Sequence, residues 1–295
     1  MSTPAKKPGF GRTMLVVIIL VVAVGAVVAV VAASVFLGPS LSVTKKNFTP
    51  YQSSVSQNNN SPSSMTVSNT NGGVTVSSWS QAYVMINGTV TARGFRSTPD
   101  TVTFVESNSS GNIVFQVVFP PSNFFFGASY SVDVHLYTPV SAKYNTVQAV
   151  TVNGDLQVSS IYASSLTLTD TNGGITASNI SATTMTATDT NGSVNLACTS
   201  CGSATVTTTN GSVTMSLSTL SLGGTYTVTS TNGNVNLTIP TIASCKITPN
   251  TTNGSVSPSS GLGVQLTNHA TTTIGTGSAI VNLTTVNGSI TVTGQ

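Results

Sequence analysis

Residues 166–196 read LTLTDTNGGITASNISATTMTATDTNGSVNL, and the segment TDTNG occurs in them twice, at 169–173 and again at 188–192. The pair belongs to a longer series. Asn153, Asn172, Asn191 and Asn210 are equally spaced, and Asn232 and Asn253 continue the series at slightly longer intervals. Gly follows each Asn, and Thr precedes all but Asn153. A fixed period of about 20 residues marks a stacked repeat. Three residues after each Asn stands Leu156, Ile175, Val194, Val213, Val235 or Val256. Five residues after stands Val158, Ala177, Leu196, Met215 or Leu237, until Pro258 breaks the pattern. Polar residues lie between, which is the alternation of a strand with one buried face.

A second strand is expected later in each repeat. Its inward pairs are Leu166/Leu168, Met185/Ala187 and Ala204/Val206, sliding to Tyr226/Val228 and returning to Cys245/Ile247. Asn-Gly suits a tight corner because both residues tolerate positive φ. Asn-Gly alone would suggest a hairpin, but equal spacing returns the same column once per repeat. The expected fold is all-β: a thin β-solenoid with coils roughly 4.8 Å apart. A small β-sandwich is the rival. Thr, Ser, Val, Asn and Gly dominate without a 3.6-residue stripe, which excludes a helical domain.

Working outward, the chain of 295 residues is only 5% charged, against about a quarter in ordinary soluble domains. After residue 40, six basic residues (Lys45, Lys46, Arg93, Arg96, Lys143, Lys246) balance six acids (Asp100, Glu106, Asp133, Asp155, Asp170, Asp189). A neutral body without a basic stripe argues against nucleic-acid binding. Residues 1–13 carry Lys6, Lys7 and Arg12 and are read as a cytoplasmic N-terminus. Met14–Leu37 is an unbroken run without charge, long enough for one transmembrane helix. The competing reading is a signal peptide cleaved before Ser34, after Val31-Ala32-Ala33. Both readings put the body outside the cytoplasm, the first as a single-pass protein of the cell membrane. Residues 38–64, with QSSVSQNNNSPSS at 52–64, read as a flexible stalk.

Residues 65–150 read as an irregular β region capping the repeat solenoid of residues 151–295. They hold an early repeat copy, TVSNTNGGVTV at 66–76, another Asn-Gly at Asn87, and a cluster of aromatics. Three of those are consecutive, Phe124, Phe125 and Phe126, an alternative aromatic binding patch.

Residues 131–158, SVDVHLYTPVSAKYNTVQAVTVNGDLQV, join an alternating strand to a return into V-x-NGD-L-x-V. Repeats of T-x-NG-x-[VI] then run onward. In this order of parts the chain resembles the prokaryotic "putative adhesin" family of short-repeat β-solenoids over about residues 65–295. The resemblance implies a surface location and an adhesive or structural role. It brings no catalytic residues.

Chemistry-bearing residues are sparse. His135 and His269 are far apart, and hydrolase, P-loop and dinucleotide motifs are absent. No catalysis and no cofactor are expected. Asp170 and Asp189, each two residues before its Asn, would stack. They are read as solvated corner residues, with Ca²⁺ held by both as the alternative. Cys198 and Cys201 are expected to pair as a local disulfide at a corner; zinc and redox readings lack supporting ligands and context. Cys245 is expected as a buried free thiol in the column of Leu166, Met185 and Ala204, two coils from Cys201. Candidate glycan-bearing sequons include Asn47, Asn59, Asn87, Asn108 and Asn179; Asn191, Asn210 and Asn253 coincide with repeat corners. The expected partners are the membrane, glycans, other surface proteins and further copies of the chain. The alternative function is a carbohydrate-binding or carbohydrate-active β-helix protein of the cell envelope.

Overall fold

The computed structural model describes residues 43–54, 64–94, 97–109, 111–121, 127–257 and 259–295. The apolar run 14–37 and Phe124–Phe126 lie outside these residues. No helix among them is long and apolar enough to cross a membrane. Apart from one 3₁₀ turn at Pro99–Thr101, the elements are strands. In chain order the first are β1 (Val43–Ser54), β2 (Ser64–Ser68), β3 (Val74–Trp79), β4 (Tyr83–Arg93), β5 (Thr103–Ser109) and β6 (Asn112–Val118). Then come β7 (Ser129–Pro139), β8 (Tyr144–Val150), β9 (Leu156–Ser159), β10 (Tyr162–Thr169), β11 (Ile175–Asp189), β12 (Val194–Thr208) and β13 (Val213–Leu217). The last are β14 (Thr225–Asn232), β15 (Val235–Ile239), β16 (Cys245–Thr251), β17 (Thr272–Ile274), β18 (Ala279–Asn287) and β19 (Ile290–Gly294).

Two parallel ladders run the length of the stack. One orders its strands β6-β2-β8-β10-β11-β12-β14-β18-β16. The other orders them β7-β3-β9-β11-β12-β13-β15-β19. The long strands β11 and β12 bend and serve both ladders, with register breaks at Ala177–Ser181 in β11. Each coil therefore crosses from one ladder to the other and turns back at an Asn-Gly corner. Inward residues of both ladders form one core of Val, Leu, Ile, Ala and Met, mostly fully buried. Burying each large apolar chain stabilises by roughly 1.5–3 kcal/mol, and the alternation repeats this gain every second residue.

Coils are not stacked in chain order. The coil of β2 and β3 lies between those of β6/β7 and β8/β9. The coil of β18 and β19 lies against β14 and β15, and β18 separates β14 from β16. The antiparallel strands flank the stack. β5 pairs with β6, β4 with β7, β1 with β4, and β17 with β16.

Several expectations need correction. Residues 43–54, read as stalk, form β1. Its Phe48 ring packs 4.5 Å from Phe104 and 5.9 Å from Phe115, an apolar anchor that the polar composition around it obscured. Residues 65–150 are only partly a cap, because β2, β3 and β6–β8 belong to the parallel ladders. Asn87-Gly88 is not a corner; it lies within β4. There a Cβ on Gly88 would meet Asp133 O at 2.0 Å and the Phe48 ring at 2.5 Å. The second inward pair does not slide. Tyr226 pairs in register with Ala204 and Val281, and Val281 with Ile247. Counted back from its Asn, the pair always sits six and four residues earlier, so its members near Asn253 are Ile247 and Pro249, not Cys245 and Ile247.

Candidate functional site

The corner asparagines form one continuous file. Asn153 Nδ2 donates to Asn71 Oδ1 at 2.7 Å, and Asn172 to Asn153, Asn191 to Asn172, Asn210 to Asn191 and Asn232 to Asn210, each at 2.8 Å. Asn287 then donates to Asn232 at 2.7 Å, and Asn253 to Asn287 at 2.9 Å. The structure brings all six sequence-identified corners into this file. It adds Asn71 at the head and puts Asn287 between Asn232 and Asn253. The signal for both was present, since each precedes Gly. Chain order hid their places.

Most of the corner glycines answer to close approach rather than to backbone freedom. At Gly173, Gly192, Gly211, Gly233, Gly288 and Gly254 a Cβ would lie 1.4–2.4 Å from the carbonyl oxygen of the stacked glycine below. None of these six has positive φ, and neither do the corner asparagines. Positive φ holds only at the two corner glycines nearest the head of the file, Gly72 (109°) and Gly154 (155°); at the other six the corner was right and the reason is close approach.

Two residues before each Asn lies a buried polar column: Asn69, Thr151, Asp170, Asp189, Thr208, Ser230, Thr285 and Thr251. Its hydroxyls donate to corner glycine carbonyls: Thr151 to Gly72 (3.1 Å), Thr208 to Gly192 (2.9 Å), Ser230 to Gly211 (2.8 Å), Thr285 to Gly233 (2.8 Å) and Thr251 to Gly288 (2.7 Å). Asp170 and Asp189 occupy the same places, 1% and 2% exposed. They are not solvated corner residues. Oδ1 of Asp170 accepts the Thr171 N–H at 2.6 Å, and Oδ1 of Asp189 the Asn191 N–H at 3.1 Å. Each Oδ2 is buried without a partner. Burial pushes the Asp170 carboxyl up to about 6, against the pull of backbone N–H groups, with the Asp189 and Asp155 charges adding to the rise. Burial also raises Asp189. Among the described residues no three His, Cys, Asp or Glu side chains cluster as a metal site.

Cys198 and Cys201 form a disulfide with Cα atoms 5.8 Å apart. Both are buried, facing the core where β12 bends between ladders, and not a solvent-facing corner. Cys245 is a free, buried thiol, pushed up to about 11 by burial. It pairs with Ala279, outside the Leu166 column. Because β18 intervenes, it is three ladder steps from Cys201, not two.

The outward face carries flat threonine rows. Thr167, Thr186, Thr205 and Thr227 are in register, as are Thr169, Thr188, Thr207, Thr229 and Thr284. Asn47, Asn108 and Asn179 are exposed, Asn87 is half-buried, and Asn59 lies outside the described residues. The Asn179 amide is engaged, with Ser160 and Thr199.

At the head of the asparagine file lies a cleft of about 670 Å³. It is lined by Asn71, Gly72, Asn153, Thr101, Phe119–Pro121 and Ala128–Ser131. Sequence reading placed Phe119 and Tyr130 in a cap and did not connect them with Asn71; only the interleaving of the β2–β3 coil brings them together.

The Toastrack DUF4097 family model matches residues 40–293. No curated protein matches. Among solved structures, a "putative cell adhesion protein" of Clostridium sporogenes is similar at 10% identity and a TM-score of 0.38, over 86% of this chain and 100% of that one. A "putative adhesin" of Bacteroides fragilis is 9% identical with a TM-score of 0.41, covering 86% and 98%. Another from Parabacteroides distasonis is 11% identical with a TM-score of 0.39, covering 85% and 97%.

Proposed function

The chain belongs to the Toastrack DUF4097 family, and from that premise we propose that it is a cell-surface protein with a structural or adhesive, non-catalytic solenoid, tethered by Met14–Leu37. The observation that carries the reading is the outer surface of the stack. Its repeated features are amide and hydroxyl groups in fixed register: the asparagine file and the threonine rows. Such a surface suits many weak contacts with glycans or neighbouring copies, and avidity across displayed molecules can then stand in for one tight pocket. Of the three acids in residues 151–295, Asp170 and Asp189 are buried in the polar column, and the exposed Asp155 accepts the Gly174 N–H. General acid–base work needs a positioned pair in reach of substrate.

The test has two arms. Protease added to intact cells should remove the body; a body digested only after lysis would reverse the topology. The purified full chain, assayed against isolated cell envelopes and a polysaccharide panel, should be retained without cleaving. Cleavage that disappears on mutating one carboxylate would establish an enzyme. A second reading, a carbohydrate-binding protein of the envelope, is favoured by the cleft at Asn71.

A further inference from the structure

The asparagine file has a direction. Every Nδ2 from Asn153 to Asn253 donates toward the head of the stack, and each Oδ1 from Asn71 to Asn287 accepts. Asn71 Oδ1 accepts from Asn153, but its Nδ2 donates to no protein group among the described residues. The file stops there because the next coil, β6 to β7, has no Asn-Gly at its corner; Phe119–Pro121 and Ala128–Ser131 line the cleft instead. Hydrogen-bonded amides in series polarise one another, so the terminal N–H is a better donor than an isolated amide. Asn71 lies in the wall of the cleft. The part-buried rings of Phe119 and Tyr130, packed on the core, also line it. The Ser129 and Ser131 hydroxyls add further polar groups, and among the described residues no charged side chain lines the space.

Resting on the surface-binding reading, we propose that this cleft binds a neutral, acetamido-bearing saccharide unit, its acetamide carbonyl on Asn71 Nδ2 and its apolar face on Phe119 and Tyr130. An unpaired, polarised amide donor calls for a strong neutral acceptor, which an acetamide carbonyl is and a plain ring hydroxyl is less. The rings suit the C–H face of a pyranose, and held aromatic side chains bind with little loss of freedom. The described lining offers an anionic sugar no charged partner for its desolvated charge.

The experiment uses the full chain in a sugar-free detergent, titrated with tri-N-acetylchitotriose and, as control, cellotriose. Chitotriose should bind and cellotriose should bind roughly tenfold more weakly, the worth of one net hydrogen bond. Asn71→Asp keeps the acceptor for Asn153 and replaces the free donor with an oxygen. It should lose chitotriose binding while its thermal unfolding is unchanged. Thr101→Trp, at the exposed rim, should block both sugars and guards against a folding artefact. Absence of chitotriose binding, equal binding of both sugars, or an Asn71→Asp variant that binds like the parent would overturn the proposal. Envelope retention is read in parallel. Retention that survives Asn71→Asp leaves the adhesive reading standing without this site, and chitotriose binding without envelope retention does the reverse.

Discussion

Replacing Asp170 by Thr should stabilise this protein at pH 8 and change it little at pH 4. The reasoning starts from the polar column, in which hydroxyls donate to stacked glycine carbonyls. A Cβ on Gly288 would lie 2.1 Å from Gly233 O and 3.0 Å from Thr285 Oγ1; on Gly173 it would lie 2.4 Å from Gly154 O and 2.5 Å from Asp170 Oδ2. Asp170 Oδ2 thus takes the hydroxyl's place against a carbonyl oxygen, and only a protonated carboxyl can donate there. The folded-state value of about 6 stands against the ordinary 3.8. A folded value above the unfolded one means stability fully present below about pH 4 and lost as pH rises through 6. The gap between the two values corresponds to about 3 kcal/mol, or roughly 6–12 °C in the midpoint of a domain this size. Thr donates at every pH. Denaturant unfolding of parent and variant at pH 4 and pH 8 isolates the effect, because Asp155 and Asp189 remain in both. A stability difference that is equal at the two pH values, or a variant less stable at pH 8, would refute the reasoning.

The glycine file gives a steric prediction. Gly192→Ala would put a Cβ 1.4 Å from Gly173 O and should cost about 3 kcal/mol or more. Gly223→Ala, with open space but φ +73, should cost only about 1–2 kcal/mol. Thermal melts of the two variants make the comparison. Asn191→Asp, mid-file, should destabilise by about 1–3 kcal/mol through the lost donor to Asn172, whereas Asn71→Asp should be neutral. Cys245, buried and with its thiol raised to about 11, should resist iodoacetamide in the folded protein and label on denaturation; rapid native labelling would contradict its place in the core.

The sequence carried the corners and the alternation because both are local. A constant period puts Asn172, Asn191 and Asn210 in one column whatever the rest of the chain does. It carried less where the answer depended on which coil lies on which. Asn287 and Asn71 bear the same Asn-Gly signal, but no local feature says that their coils insert between others. The burial of Asp170 and Asp189 was legible in principle. They share parity with Leu166/Leu168 and Met185/Ala187, so the same alternation points them inward; their charge argued the other way, and parity won. Strand β1 was missed because its anchor, Phe48, contacts Phe104 and Phe115 far along the chain. The cleft combines residues from five separate segments and has no sequence signature.

The interleaved coils bear on how the molecule is assembled and pulled apart. A solenoid stacked in chain order can add coils as they leave the ribosome, and its last coil frays first. Here β16 cannot reach its final neighbour until β18 has been made, and the β2–β3 coil waits for β6 and for β8 on its other side. Closure at both ends is therefore a late, long-range event, with the loop-closure cost that slows folding. The same arrangement guards the finished stack. Peeling out the β18–β19 coil means breaking β18 from β14 and β16 together, and the β2–β3 coil is held on both sides too. Amide exchange in these two coils should match that of the middle of the stack, making them as slow to unravel as its centre.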